Sequence, residues 1–101
     1  MTNRLLLGID IGTSSAKAVL IRPDGECVGS GAKSYPVDTP RPGWAEQHPE
    51  VWIEGAALAT RCALHKAGCD PGDIAGIGLS GQMHGTVCLN AAGEPVRPAI
   101  I

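Results

Sequence analysis

The chain has 101 residues, 44% of them hydrophobic and 18% charged, and carries a formal net charge of −2. That length holds at most one modest domain, and the composition is that of a globular chain rather than a disordered one. Scattered basic residues and a slight negative charge give no electrostatic footprint for nucleic acid or an anionic membrane, so neither is expected as a partner.

Before Gly8 the only apolar run is Leu5-Leu6-Leu7, too short for a signal core or a membrane span, so the expected location is the cytoplasm. In that compartment Cys27, Cys62, Cys69 and Cys88, which form no C-x-x-C pair, are expected as free thiols, with Cys62 and Cys88 in the core. Residues 4–10 predict a first strand, apolar enough to be buried on both faces. A turn of Gly12, Thr13, Ser14 and Ser15 follows, then a second strand over residues 16–22. Pro23-Asp24-Gly25 is a tight turn, with Pro presetting φ and Gly free to take φ > 0. A Gly-rich third strand over residues 27–35 has the polarity of a sheet edge. Residues 36–47, punctuated by Pro36, Pro40, Pro42 and Gly43, read as loop, with Trp44 as its anchor on the domain.

Pro49 after His48, with Glu50 in the first turn, opens a helix. Trp52, Ala56, Ala59 and Ala63, extended by Leu58 and Cys62, form its apolar stripe, and Gly68 closes it as a left-handed cap. After the Asp70-Pro71-Gly72-Asp73 turn, residues 74–80 predict a buried strand which the helical crossover allows to lie parallel to the first. Segments 86–89 and 96–101, separated by Asn90-Ala91-Ala92-Gly93, read as a final hairpin. The order βββαβ plus a hairpin defines an α/β chain with a mixed sheet.

The chemistry concentrates at the first turn. An apolar strand delivers Asp10 to a bend rich in Gly and small hydroxyls, which suits phosphate oxygens and a hard metal ion such as Mg²⁺. By pattern alone a plain hairpin with a polar turn fits as well. The run Gly76-Ile77-Gly78-Leu79-Ser80-Gly81 matches G-x-G-x-x-G but lies within a strand and opens no helix, so it is not taken as a dinucleotide fingerprint. Its glycines are expected to admit a neighbouring element instead.

Three blocks together resemble the amino-terminal portion of the FGGY carbohydrate kinases: residues 8–17 (GIDIGTSSAK), residues 42–52 (PGWAEQHPEVW), and residues 78–85 (GLSGQMHG) with the Arg97-Pro98-Ala99-Ile100 ending. The resemblance implies a ribonuclease-H-like, actin-like ATPase fold. Residues 1–101 would be part of the first of two domains that close on ATP, Mg²⁺ and a small-molecule sugar. It also implies roles by motif position. Asp10 would hold Mg²⁺ through water, Gly12, Thr13 and Ser14 would line the phosphates, and Lys17 would sit near them. Met83 and His84 would touch the sugar, with Gln82 beside them. From the residues alone, His84 is a surface-turn histidine, Met83 core filler and Lys17 an exposed strand lysine.

Glycerol kinases of that family tend to carry Arg-Glu where Met83-His84 stands, so the implied acceptor is a ketopentose such as D-xylulose. The family's catalytic aspartate lies beyond residue 101, so no catalytic residue is assigned and negligible turnover is expected of residues 1–101 alone. An apolar sheet face is expected to be bare, with homo-association through it. A non-catalytic nucleotide- or phosphate-binding module, a vestigial fragment and a kinase for another sugar or polyol are the alternatives.

Overall fold

In the computed structural model, which describes residues 4–101, the two leading apolar runs fold onto each other. The reading of the leading residues as carrying no signal lies partly outside that range, at Met1–Asn3. β1 (Leu5–Ile11) and β2 (Ser15–Ile21) pair antiparallel, setting Leu7 opposite Leu20 and Asp10 opposite Lys17. β3 (Cys27–Ser34) pairs antiparallel with β2 and forms one edge of the sheet, as its polarity requires.

α1 (Pro49–Ala67) begins and ends at its punctuation. Pro49 occupies the first turn after the extended His48, and Gly68 takes φ 66°. The Cys69 N–H then reaches back 3.0 Å to the Leu64 carbonyl, satisfying an acceptor the helix end would otherwise orphan. The helix lies across β3 and β2 and buries Gly55, Ala59, Ala63 and Leu64. Ala59, Ala63 and Leu64 join Leu5, Leu7, Ala18 and Leu20 to make the core. Leu58, assigned to the stripe, is instead exposed, because the helix leans toward the β3 edge and turns that position outward.

Two glycines allow that lean. A Cβ on Gly29 would lie 2.5 Å from the Ala63 carbonyl oxygen, and one on Gly31 would overlap the Ala59 carbonyl. The close approach expected at the glycines of residues 76–81 therefore occurs on β3. At Gly78 and Gly81 nothing lies within 4 Å of where a Cβ would stand.

A single 3₁₀ turn (Pro71–Asp73) leads to β5 (Ile74–Gly81), which runs parallel to β1 and completes the order β3-β2-β1-β5. The three glycines of the G-x-G-x-x-G run lie within this strand. β5 is not buried: Ile77 is 62% and Leu79 78% exposed, because α1 stops short of that side of the sheet. β1 is likewise covered on one face only, with Leu5 and Leu7 buried and Leu6 exposed.

The segment expected as loop contains β4 (Glu46–Gln47), which pairs with β6 (Ala99–Ile100). Arg97 forms an ion pair with Glu46 at the same junction. The expected final hairpin is reduced to single bridges, Thr86 with Ile100 and Leu89 with Pro95, around a formed turn at Asn90–Gly93. Pro95 and Pro98 lack the N–H groups that a continuous ladder needs. Cys88 is exposed in this open arrangement and Cys62 half-buried, so Cys88 is not a core residue. Trp44 does not anchor the loop either. Its ring is half exposed beneath the Arg41 guanidinium, 5.1 Å from the ring centre.

Candidate functional site

The central strand β1 ends in Asp10-Ile11, and both of its neighbours feed the same end of the sheet. Asp10 stands opposite Lys17 on β2 and Ser80 on β5. These side chains line a shallow groove of about 430 Å³ floored by Gly8 and Gly78. Among the described residues the Asp10 carboxylate makes no hydrogen bond or ion pair, although Lys17 is its register partner. A hard anionic oxygen left free at a strand end fits Mg²⁺, which takes one or two carboxylates and fills its remaining positions with water and phosphate oxygens. No cluster of three or more metal-binding side chains occurs among the described residues, so Asp10 would be the protein's contribution from this segment.

The turn beyond Asp10 has a definite polarity. Its carbonyls all have donors: Gly12 O accepts from the Tyr35 hydroxyl, Thr13 O from Gln47 Nε2 at 2.6 Å, and Ser14 O from the Tyr35 N–H at 3.0 Å. Ser15 O accepts from the Gly12 N–H at 2.9 Å. Among the described residues the N–H groups of Thr13 and Ser14 have no acceptor. A bend with its carbonyls tied back and its N–H groups free is an anion receptor.

Tyr35 and Gln47 were not singled out from the sequence, yet they hold this bend. Gln47 is 1% exposed and fully used, since its Nε2 also reaches Pro36 O at 3.1 Å and its Oε1 accepts from Trp52 Nε1 at 2.9 Å. Burial, and then the negative charge of Asp10, hold the Tyr35 phenol above its usual pKa, so it stays a donor to Gly12 O. The only sequence signal for Gln47 was its place in the 42–52 block; Tyr35 had none.

The second strand end meets the first. Gln82 N–H donates to Ile11 O at 2.9 Å, and the Thr13 hydroxyl donates to Gln82 Oε1 at 2.8 Å. The 82–85 turn is thereby stitched to the Gly12–Ser15 turn. Its tip is exposed: Met83 is 80% accessible, and His84 takes φ 65°, the one positive φ at a non-glycine among the described residues. Such a backbone costs on the order of 1–2 kcal/mol and tends to cluster where side chains meet ligands. The structure thus brings together Asp10, Gly12, Thr13, Ser14, Lys17 and Gln82 at one sheet end. Met83 and His84 project from the adjoining turn.

Comparison with known proteins places this architecture. The profile of the N-terminal domain of the FGGY family of carbohydrate kinases matches residues 5–101, and the chain belongs to that family. It is 38% identical over 96 residues to a xylulose kinase of Staphylococcus xylosus, covering 95% of this chain and 20% of the relative. It is 41% identical over 98 residues to a glycerol kinase of Delftia acidovorans, with 95% and 20% covered. The crystal structure of a xyloylose kinase from Brucella ovis superposes with a TM-score of 0.91 at 40% identity, over 96% of this chain and 20% of that one. The chain spans about a fifth of the length of the curated relatives it matches. Its mixed sheet and helix are those of the actin-like ATPase fold in these kinases, as the sequence blocks implied. Identity by itself does not separate the xylulose from the glycerol relatives.

Proposed function

We propose that this chain forms the nucleotide- and sugar-facing part of the N-terminal domain of an ATP-dependent kinase. The reaction is transfer of the γ-phosphoryl group of ATP to a hydroxyl of a ketopentose, D-xylulose giving xylulose 5-phosphate. The observation that carries this reading is the free Asp10 carboxylate beside a bend whose carbonyls are all engaged from behind. Phosphoryl transfer asks a protein mainly to position reactants and offset charge, and this equipment does both.

In this reading the free N–H groups of Thr13 and Ser14 take phosphate oxygens, and Lys17, on the groove wall, adds a positive charge. Bound Mg²⁺ supplies charge neutralisation on the phosphates, and Asp10 is the residue of this segment that would hold it. Met83 and His84 contact the sugar, with Gln82 beside them. The acceptor hydroxyl attacks the γ-phosphorus and ADP departs. The hydroxyl proton goes to a base, a role for which no residue among 1–101 is assigned. The preference for a ketopentose over glycerol rests on Met83-His84, where glycerol kinases tend to carry Arg-Glu.

The test is a calorimetric titration of the chain with ATP, with and without Mg²⁺. Binding should strengthen at least about tenfold with Mg²⁺, and Asp10→Ala should erase that gain while leaving a weaker metal-independent component. Equal affinity with and without Mg²⁺ in the unsubstituted chain would sink the metal assignment. For the acceptor, the kinase containing this domain should release ADP with D-xylulose faster than with glycerol. The reverse order would reassign the substrate.

A further inference from the structure

The Thr13–Gln82 hydrogen bond has a feature that nucleotide binding does not by itself require. A hydroxyl has one proton to donate and, in this structure, Thr13 gives it to Gln82 Oε1 at 2.8 Å. At the other end of the same amide, Gln82 Nε2 is buried and has no partner. A buried donor left unmade costs about 1–3 kcal/mol, so the bond that ties the two turns also leaves the amide half satisfied.

Turning the amide over by half a rotation about its last torsion exchanges the two ends. Nε2 then donates to Thr13 Oγ1 as acceptor, and the Thr13 proton is released to point outward, beside the free N–H groups of Thr13 and Ser14. We propose that Gln82 is a positioning residue for phosphate. Its amide reverses when a phosphate oxygen takes the Thr13 proton, building the relay Gln82 Nε2–H to Thr13 Oγ1–H to phosphate oxygen. The reversal pairs the buried donor and leaves the amide oxygen in its place, and an unpaired acceptor is the less costly of the two. The backbone of Gln82 is pinned to Ile11 O, so its side chain is held at the Gly12–Ser15 bend. The inference rests on the phosphate reading of the Gly12–Ser15 bend and reassigns Gln82 from the sugar to the phosphate.

The probe is inorganic tripolyphosphate without metal, titrated into the ¹⁵N-labelled chain and followed by NMR. The Ser14 backbone amide and the Gln82 side-chain amide should shift together. In Thr13→Val the Ser14 response should persist while the Gln82 side-chain response disappears. Gln82→Met should weaken tripolyphosphate about tenfold in the unsubstituted chain, as expected for one hydrogen bond in a charge-assisted chain, and less than about twofold in the Thr13→Val background. If Ser14 responds but the Gln82 side chain is silent, or if Gln82→Met costs the same in both backgrounds, the relay is wrong and the phosphate bend stands. If no amide of residues 12–15 responds, both readings fall. Should Gln82→Met not fold, as judged by its α1 amide resonances, the comparison of the unsubstituted and Thr13→Val spectra decides alone.

Discussion

Tyr35 and His84 carry opposite kinds of constraint. Tyr35 closes the back of the Gly12–Ser15 bend with its hydroxyl and its N–H, and replacing it with Phe leaves the Gly12 carbonyl without its donor. Tyr35→Phe should cost about 1–2 kcal/mol of stability, measured by urea denaturation. The phenol's folded pKa lies above its usual 10.0, raised by burial and by Asp10. Its contribution is therefore complete below about pH 10 and is lost as pH rises through the higher folded value. Tyr35→Phe should remove that part of the alkaline decline, and an unchanged decline would contradict the raised phenol pKa. His84 holds an unfavourable φ of 65°, so His84→Gly relieves backbone strain while deleting the imidazole. Its expected signature in the kinase containing this domain is stability unchanged or raised by up to about 1 kcal/mol, with D-xylulose KM raised at least about tenfold. A KM within twofold of the parent value would remove His84 from the sugar contact. Asp10 and the small residues after it were legible in the sequence because strand, carboxylate and bend are contiguous. Tyr35 and Gln47 were not, since their partners lie 23 and 34 residues away.

Among the elements, the β1–β2–β3 meander and α1 were legible for local reasons: apolar runs, short turns, Pro49 at one end and Gly68 at the other. The β4–β6 pair was not. Each strand has two residues, one lies in a Pro-rich stretch, and nothing local tells either of its partner. Solvent exposure of β5 was equally hidden, because an apolar strand looks the same in sequence whether or not something covers it. The helix–sheet seam exposes a sharper dependence on single atoms. Gly31→Ala would drive a methyl into the Ala59 carbonyl and against Cys62, with backbone as the obstacle on one side. Because backbone yields less readily than side chain, the loss should reach about 2–4 kcal/mol. Gly78→Ala, with open space around it, should change stability by less than about 0.5 kcal/mol. Equal losses at the two positions, measured by thermal denaturation, would contradict the seam.

At the scale of the molecule, α1 leaves much of the sheet unshielded. The accessible surface is 6638 Å², against roughly 5,400 Å² expected for a folded monomer of this mass. The radius of gyration is 15.6 Å, where about 13 Å is usual for this length. Leu6, Ile53, Ile77 and Leu79 account for part of the excess. No helix among the described residues is long and apolar enough to cross a membrane. In water, burying such a surface against a second copy is favourable at about 25 cal/mol per Å² before the cost of association. Sedimentation velocity on residues 1–101 should therefore show an average mass that rises with concentration, and Ile53→Lys with Leu79→Lys should return it toward 10.4 kDa. A concentration-independent monomer would refute this.

Ile11 terminates the central strand and gives its carbonyl to Gln82, so the Gly12–Ser15 and 82–85 bends leave the sheet at one point. Denaturant or heat should consequently disorder the two bends in a single step, with the Ser14 and Gln82 amide resonances lost together rather than in succession.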